Sequence, residues 1–199
     1  MCPPSEAAAW DEIYQSGEYR QHWEYAHPSP ELCAIVAAGI APVGATALDL
    51  GCGAGREAIF LARCGLQVIG VDISDEALRI ARERARRIRV KVDWRQGSVF
   101  GLPVADASVD FINDRGLLHL IPERRRSALA RELRRVLRPG GVLLIRGSSK
   151  SRGTFVPISA KSIDRHFPPS DFTRGPVLPI QMHSDAGAMD GIIAVLRRR

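Results

Sequence analysis

From Ala47 to Arg56 the chain reads Ala-Leu-Asp-Leu-Gly-Cys-Gly-Ala-Gly-Arg, an apolar run that ends in three glycines spaced by single residues. No other feature narrows the fold as much. A short apolar run feeding a helix through a tight glycine turn is half of a βαβ unit. The following residues repeat the alternation. Strands are predicted over Thr46–Leu50, Gln67–Val71, Arg89–Trp94, Ser108–Ile112 and Val142–Ile145. Helices are predicted over Arg56–Cys64, Ser74–Arg87 and Pro122–Leu137, with Gly65 and Pro139-Gly140-Gly141 as stops. An earlier helix opens at Ser29-Pro30-Glu31, with Ser29 at the N-cap and Pro30 in the first turn, and runs to about Ala38. The tail differs: a helix over Ser159–Phe167, then strands Val177–His183 and Ile192–Arg197 with no helix between them, hence an antiparallel pair. The whole reads as one α/β domain over residues 1–199. It divides into an aromatic N-terminal lid (1–30), a doubly wound core (46–146) and C-terminal strands with a helix (147–199). The expected sheet is mainly parallel and seven-stranded.

The chemistry of the turn follows from its geometry. Glycine is required where φ is positive or where a ligand approaches the backbone, and the N–H groups at a helix start point toward that ligand. A nicotinamide dinucleotide site would place its third glycine at position 56. Arg56 stands there and the third glycine is Gly55, so the spacing argues against a pyrophosphate cradle. Asp72, in Gly70-Val71-Asp72-Ile73-Ser74, ends the second strand about 20 residues past the turn, where an acid reaches ribose hydroxyls. The alternative reading of Asp72 is a helix cap. Two more segments end strands: Gln96-Gly97-Ser98-Val99 after the third, and Asn113-Asp114-Arg115-Gly116-Leu117-Leu118-His119 after the fourth. Ligands of open α/β sheets bind beyond these strand ends.

With Leu137-Arg138-Pro139-Gly140-Gly141-Val142-Leu143, these segments resemble, over about Thr46 to Arg146, the class I S-adenosylmethionine-dependent methyltransferases. The resemblance implies a Rossmann-like fold and S-adenosylmethionine as cofactor. The glycine turn (Asp49, Gly51, Cys52, Gly53, Gly55) would hold the methionine part, Asp72 and Ile73 the ribose, and Gly97, Ser98 and Val99 the adenine, with Asn113 adding a contact. Many members carry Asp where this chain has Ser98, so the resemblance implies a backbone contact from Val99 there. A narrower resemblance, to the small thiol, thiopurine and tellurite-type methyltransferases, rests on Trp10-Asp11-Glu12-Ile13-Tyr14, Trp23, Pro28-Ser29-Pro30-Glu31-Leu32 and Asp114-Arg115-Gly116. It implies that the N-terminal aromatic segment folds over the cofactor, with Tyr14 and Trp23 facing it. His22-Trp23 stands where Pro-Trp is usual in that group.

Methyl transfer needs a nucleophile in line with the methyl carbon. A thiol needs only ionisation, whereas a hydroxyl or amine needs a base within hydrogen-bond reach. His119 is the first candidate base and Asp114 the second; a packed histidine is the alternative. Arg115 is a candidate to hold an anionic acceptor, with His119 beside it, unless it pairs with Asp110 or another carboxylate. The expected activity is methylation of a small molecule, a thiol or other soft nucleophile first. O- or N-methylation of a small metabolite, or of RNA or protein, is the alternative; a non-catalytic nucleoside-binding module is a third class.

Composition trims the alternatives. The formal charge is +6. The arginines concentrate on two predicted helices, Arg79–Arg89 and Arg124–Arg138, with Glu76, Glu83, Glu123 and Glu132 interspersed. That spacing gives i,i+3 and i,i+4 pairs such as Glu83 with Arg86 and Arg87, and no aromatics interleave as base-stacking platforms. A solvated, salt-bridged face is expected, with no nucleic-acid partner favoured. Cys2, Cys33, Cys52 and Cys64 form no CxxC pair and no histidines cluster at ligand spacing, so free thiols and no metal site are expected, with Cys33 and Cys64 buried in helices. Met1–Trp10 has no basic, apolar leader and no stretch approaches a membrane span. The expectation is a cytoplasmic monomer or homodimer acting on a small molecule, with no membrane partner.

Overall fold

The computed structural model describes residues 6–185 and 187–199, so Cys2 lies outside the described residues. Two helices, α1 (Glu6–Ser16) and α2 (Tyr19–His22), precede α3 (Pro30–Ala37). The alternation follows: β1 (Thr46–Leu50), α4 (Arg56–Arg63), β2 (Gln67–Asp72), α5 (Asp75–Arg87), β3 (Asp93–Gln96) and β4 (Val109–Arg115). After a 3-10 turn at Leu118–Leu120 come α6 (Glu123–Val136), β5 (Leu137–Ser148), α7 (Ala160–His166), β6 (Phe172–Arg174), β7 (Leu178–Ser184) and β8 (Gly187–Arg198).

One eight-stranded sheet runs β3-β2-β1-β4-β5-β8-β6, with β7 also paired to β8. β1 to β5 are parallel; β8 is antiparallel to β5, and β6 and β7 are antiparallel to β8. Strand order reverses between β1 and β4, which opens a crevice at their carboxyl ends. There Leu50, the residue before Gly51, is in register with Val71 on one side and Asp114 on the other.

Strict alternation covers both faces of the sheet. Leu48, Leu50, Ile112, Leu143 and Ile145 pack in one cluster with Leu129 and Leu133 of α6. Ala47, Phe111, Val142 and Leu144 pack on the opposite face with Leu32 of α3 and Ala58 and Leu61 of α4. Each such fully buried Leu or Ile contributes about 1.5–3 kcal/mol of transfer free energy. The same parity decides where the polar residues at the strand ends go: Asp49, Asn113, Arg115 and Arg146 fall on the α4 face, and Asp114 and Gly147 on the α6 face.

Several boundaries differ from expectation. The sheet has eight strands rather than seven, because Phe172–Arg174 pairs with the end of β8. β3 begins at Asp93, not Arg89, because Arg89 takes a left-handed φ of 57° as the chain leaves α5. Pro139-Gly140-Gly141 lies inside β5 rather than before it: Leu137 already pairs with Val109, and the register shifts between Val109 and Phe111. Ser29 precedes α3 but makes no side-chain cap. Ser74 does cap α5, accepting from the Ala77 N–H at 3.0 Å. The arginine-rich face of α6 is not wholly solvated. Arg126 is buried, and its guanidinium donates to the carbonyls of Ile121, Val156 and Pro157 and to Ser162. Cys52 is the buried thiol, while Cys33 and Cys64 are half-buried.

Candidate functional site

The turn after β1 is built from three left-handed glycines, Gly51 (φ 64°), Gly53 (φ 50°) and Gly55 (φ 80°). Packing demands them as much as dihedral angle does. A Cβ on Gly51 would lie 2.8 Å from Leu117 Cδ1, and one on Gly55 2.6 Å from Trp94 Cη2 and 2.8 Å from Ala81. A Cβ on Gly53 would collide with the Tyr14 hydroxyl. Cys52 is buried beside them, its N–H bonded to Val71 O at 3.0 Å.

Asp72 faces this turn across β2. One carboxylate oxygen accepts the Gly53 N–H at 2.8 Å and the other the Ser74 N–H at 3.0 Å. Burial raises its pKa, against the bonds from Ser74 and Gly53 that lower it. The Ile73 N–H bonds to the same carboxylate, which leaves it room to accept one further hydroxyl. Ile73 is half-buried next to it. Gly97 donates its N–H to Asp72 O at 2.9 Å and is pressed against Pro103, where a Cβ would come within 2.7 Å. Ser98 is exposed, and its hydroxyl accepts the Phe100 N–H at 3.2 Å; Val99 is half-buried against the core. Three closely packed glycines, a buried acid with an acceptor site left open and a backbone shelf at Gly97–Val99 fit a nucleoside bearing an amino-acid tail.

The N-terminal segment covers the turn. Tyr14 is 6% exposed and clusters with Tyr19, Ala54 and Ala77. Trp23 meets Tyr14 edge-on, with centroids 6.3 Å apart. Two latches hold the segment down. Asp11 accepts the Ser74 hydroxyl at 2.6 Å and the Glu76 N–H at 3.1 Å, and Glu24 bridges Arg56 at 2.8 Å and Arg84 at 2.6 Å.

At the end of β4 the two candidate bases are differently employed. Asp114 is 1% exposed, and its carboxylate accepts the N–H groups of Leu117 (2.9 Å) and Leu118 (3.2 Å), capping the 3-10 turn. Burial pushes it up to about 7. His119, stacked on Phe155 at 4.1 Å, accepts the Ser148 backbone N–H on Nδ1 at 2.9 Å. Nδ1 therefore carries no proton, and the neutral ring carries its proton on Nε2. Burial first, then the charges of Arg126 and Arg115, lower its pKa to about 4. At neutral pH His119 is a hydrogen-bond donor at Nε2, not the base expected from its position.

Beneath the β1–β4–β5 ends, on the α4 face, lies a polar network that the sequence reading misses. Glu57 and Arg146 pair at 2.8 Å with side chains 4% and 1% exposed. Ser29 donates its hydroxyl to Glu57 at 2.5 Å, and Asn113 donates to both Glu57 (2.8 Å) and Asp49 (2.7 Å). Arg146 also donates to Ser29 Oγ and Asn113 Oδ1. Burial alone would raise the Glu57 carboxyl, but the Arg146 charge and hydrogen bond bring it down to about 2. Burial and then Glu57 push Asp49 up to about 7. Asp49 and Asn113, expected at the cofactor, spend their side-chain bonds here, because strand parity turns them toward α4. The serine hydroxyl expected as a helix cap is consumed the same way.

A cavity of about 230 Å³ opens above this network. It is lined by Tyr25–Glu31, by Arg115 and Arg146, and by Met182–Asp185. The Tyr25 ring covers the Arg115 guanidinium at 3.8 Å. Arg115 donates to His183 O at 2.5 Å, and the Asp185 N–H donates to Glu24 O at 2.8 Å, so the N-terminal segment and the β7–β8 hairpin meet over the strand ends. Asp110 is not the partner of Arg115; it pairs with Arg138 at 2.6 Å.

Residues 47–141 match a family described as "Methyltransferase domain". The ubiquinone biosynthesis O-methyltransferase of Xanthomonas axonopodis pv. citri is 32% identical over 128 residues, 64% of this chain and 53% of that protein. The arsenite methyltransferase of Halobacterium salinarum is 42% identical over 113 residues, 54% of this chain and 28% of that protein. The chain thus spans about half the length, or less, of these curated relatives. A solved structure described by the conversion of a disulfide bond into a thioacetal group during echinomycin biosynthesis superposes with TM-score 0.84 at 24% identity, over 96% of this chain and 92% of that one.

Proposed function

We propose that the chain is a class I S-adenosylmethionine-dependent methyltransferase and that it methylates a small molecule at a soft nucleophilic atom, a thiol sulfur first. The cofactor, when bound, supplies a methyl carbon already activated by the neighbouring sulfonium charge. The turn Gly51–Gly55 would hold its amino-acid tail with backbone N–H groups, Asp72 its ribose hydroxyls, and Gly97–Val99 its adenine. Tyr14 and Trp23 would close over it and keep water out.

The tautomer of His119 carries the choice of acceptor. With Nδ1 bonded to Ser148 and Nε2 protonated, the ring has no lone pair free to take a proton. Asp114 is buried and occupied by the turn it caps. A hydroxyl or amine acceptor would need a base that these two residues do not offer, whereas a thiolate arrives ready to react. Two similar proteins, named for arsenite and for a disulfide, are consistent with soft acceptors; the Xanthomonas relative, named as an O-methyltransferase, is the counterweight.

The test is methyl transfer from labelled S-adenosylmethionine across small thiols, phenols, amines, RNA and protein extract, with wild type and His119→Ala. The expected result is thiol methylation that survives the substitution within a few-fold. Labelling of macromolecules alone would overturn the small-molecule reading. Phenol or amine methylation abolished by His119→Ala would move the acceptor to a harder atom and restore the histidine as a base.

A further inference from the structure

The cavity beside Arg115 has a size and a charge pattern that narrow the acceptor further. Its volume of about 230 Å³ is below the roughly 300 Å³ at which drug-sized pockets begin. It suits a molecule of a few heavy atoms. It opens at the carboxyl ends of β4 and β5. Arg115 follows Asp114, whose register partner on β1 is Leu50, the residue before Gly51.

Two guanidiniums reach this cavity and they are not equivalent. Arg146 spends both terminal nitrogens on Glu57, Ser29 and Asn113 and keeps only a buried Nε without an acceptor. Arg115 is less fully paired. Its nearest carboxylate is Glu57, whose Oε1 is 3.8 Å from Arg115 Nε, beyond hydrogen-bond distance. Both Glu57 oxygens already accept from Ser29, Asn113 and Arg146. The only hydrogen bond of the Arg115 guanidinium among the described residues runs from Nη2 to His183 O. Nε and Nη1 are left without an acceptor, on a side chain that is 13% exposed and held flat by the Tyr25 ring. A planar cation fixed in orientation, with donors unspent, is complementary to a carboxylate.

We propose that Arg115 is the specificity-determining residue of this cavity and that the acceptor is a small molecule bearing one carboxylate, which pairs with the Arg115 guanidinium. Glu31 and Asp185 line the same cavity, and neither has an ion-pair partner among the described residues. They repel a second negative charge, which favours a monocarboxylate or an amino-acid zwitterion over a dicarboxylate. The proposal rests on the methyl-transfer reading for the fate of the bound molecule, not for its binding.

The experiment compares small thiols: 3-mercaptopropionate, cysteine, 2-mercaptoethanol and cysteamine. KM for the two carboxylate thiols should lie at least tenfold below that for the neutral and cationic ones. Arg115→Gln should raise the former tenfold or more, remove their advantage over 2-mercaptoethanol, and be partly rescued by Arg115→Lys. A second arm measures calorimetric binding of butyrate and butanol in the presence of S-adenosylhomocysteine, which needs no turnover. Butyrate should bind better than butanol to wild type and lose that advantage in Arg115→Gln. If no thiol is methylated but butyrate binding depends on Arg115, the thiol reading fails and the carboxylate site stands. If thiols are methylated with no preference for a carboxylate, or butyrate and butanol bind alike, the carboxylate site is overturned while the thiol reading stands. Should Arg115→Gln fail to fold, the wild-type comparisons and Arg115→Lys decide.

Discussion

Replacing Glu57 with glutamine keeps the shape of the side chain and removes one charge from the centre of a buried network. Two routes give the cost. The folded state lowers the Glu57 carboxyl from its ordinary 4.5 to about 2. At 1.36 kcal/mol per pK unit, that is about 3 kcal/mol of stability. Independently, removing one partner of a buried ion pair costs about 3–5 kcal/mol, because the other charge is left uncompensated. Here the stranded charge is Arg146, whose side chain is buried. A loss of about 3 kcal/mol in a domain of this size lowers Tm by about 6–12 °C. Because the folded pKa lies below the unfolded one, the contribution is fully present above about pH 4.5 and fades as pH falls through 2. Urea unfolding followed by circular dichroism at pH 7 measures the difference, and the same curves at lower pH should show the variant and wild type converging. Removing both charges in a Glu57→Leu, Arg146→Met double variant should recover part of the loss, since no charge is then left uncompensated while Ser29 and Asn113 still lose their bonds to the pair. A Glu57→Gln variant within 1 kcal/mol of wild type, or a double variant as unstable as the two single losses added together, would refute the account of the network.

Three further outcomes are expected. Asp72→Ala should weaken S-adenosylhomocysteine binding by about 1.5–3 kcal/mol, the range for hydrogen bonds to a charged group; calorimetry showing unchanged affinity would remove Asp72 from the ribose. Amide hydrogen exchange over residues 10–30 should slow when that ligand is added, as Tyr14 and Trp23 settle on it; unchanged exchange would leave the segment a fixed structural arm. The His119 ring should stay neutral from pH 8 down to about 4, its depressed value, so an imidazole NMR titration near 6.5 would contradict the assigned tautomer and its bond to Ser148.

The alternation from Thr46 to Arg87 is legible in sequence because each element carries its own punctuation: glycines at 51, 53 and 55, Gly65 after α4, and Ser74 before α5. β3 and β5 are less so. Nothing local to Arg89 announces a left-handed residue, and Pro139-Gly140-Gly141 has the composition of a loop although its neighbours hold it within a strand. The pattern at the glycine turn brings Asp72 against Gly53 because the constraint is local in space and in chain. The Glu57–Arg146 pair is invisible for the opposite reason: its partners stand 89 residues apart. A charge closing the apolar run Val142–Ile145 hints that a partner is needed, but naming it takes the register of β1, β4 and β5. The places of Asp49, Asn113 and Ser29 in the network are missed through that same gap. Each is a suitable residue type for another task, the first two at the cofactor and Ser29 at a helix cap, and only the face it points to brings it into the network.

The roof over the cavity has a consequence for how such a protein diversifies. Its two edges, Glu24 and Asp185, come from stretches far apart in the chain and meet through a single backbone hydrogen bond. Neither belongs to the strands and glycine turn that shape the nucleoside site. Insertions, deletions or exchange at residues 25–28 and 183–185, which leave the Glu24 and Ser29 bonds to the scaffold in place, would reshape what the cavity admits while leaving the 46–146 scaffold intact. Inheritance can therefore act on the two halves of the site separately: one conserved by the demands of packing, the other free to drift with whatever molecule the cell offers.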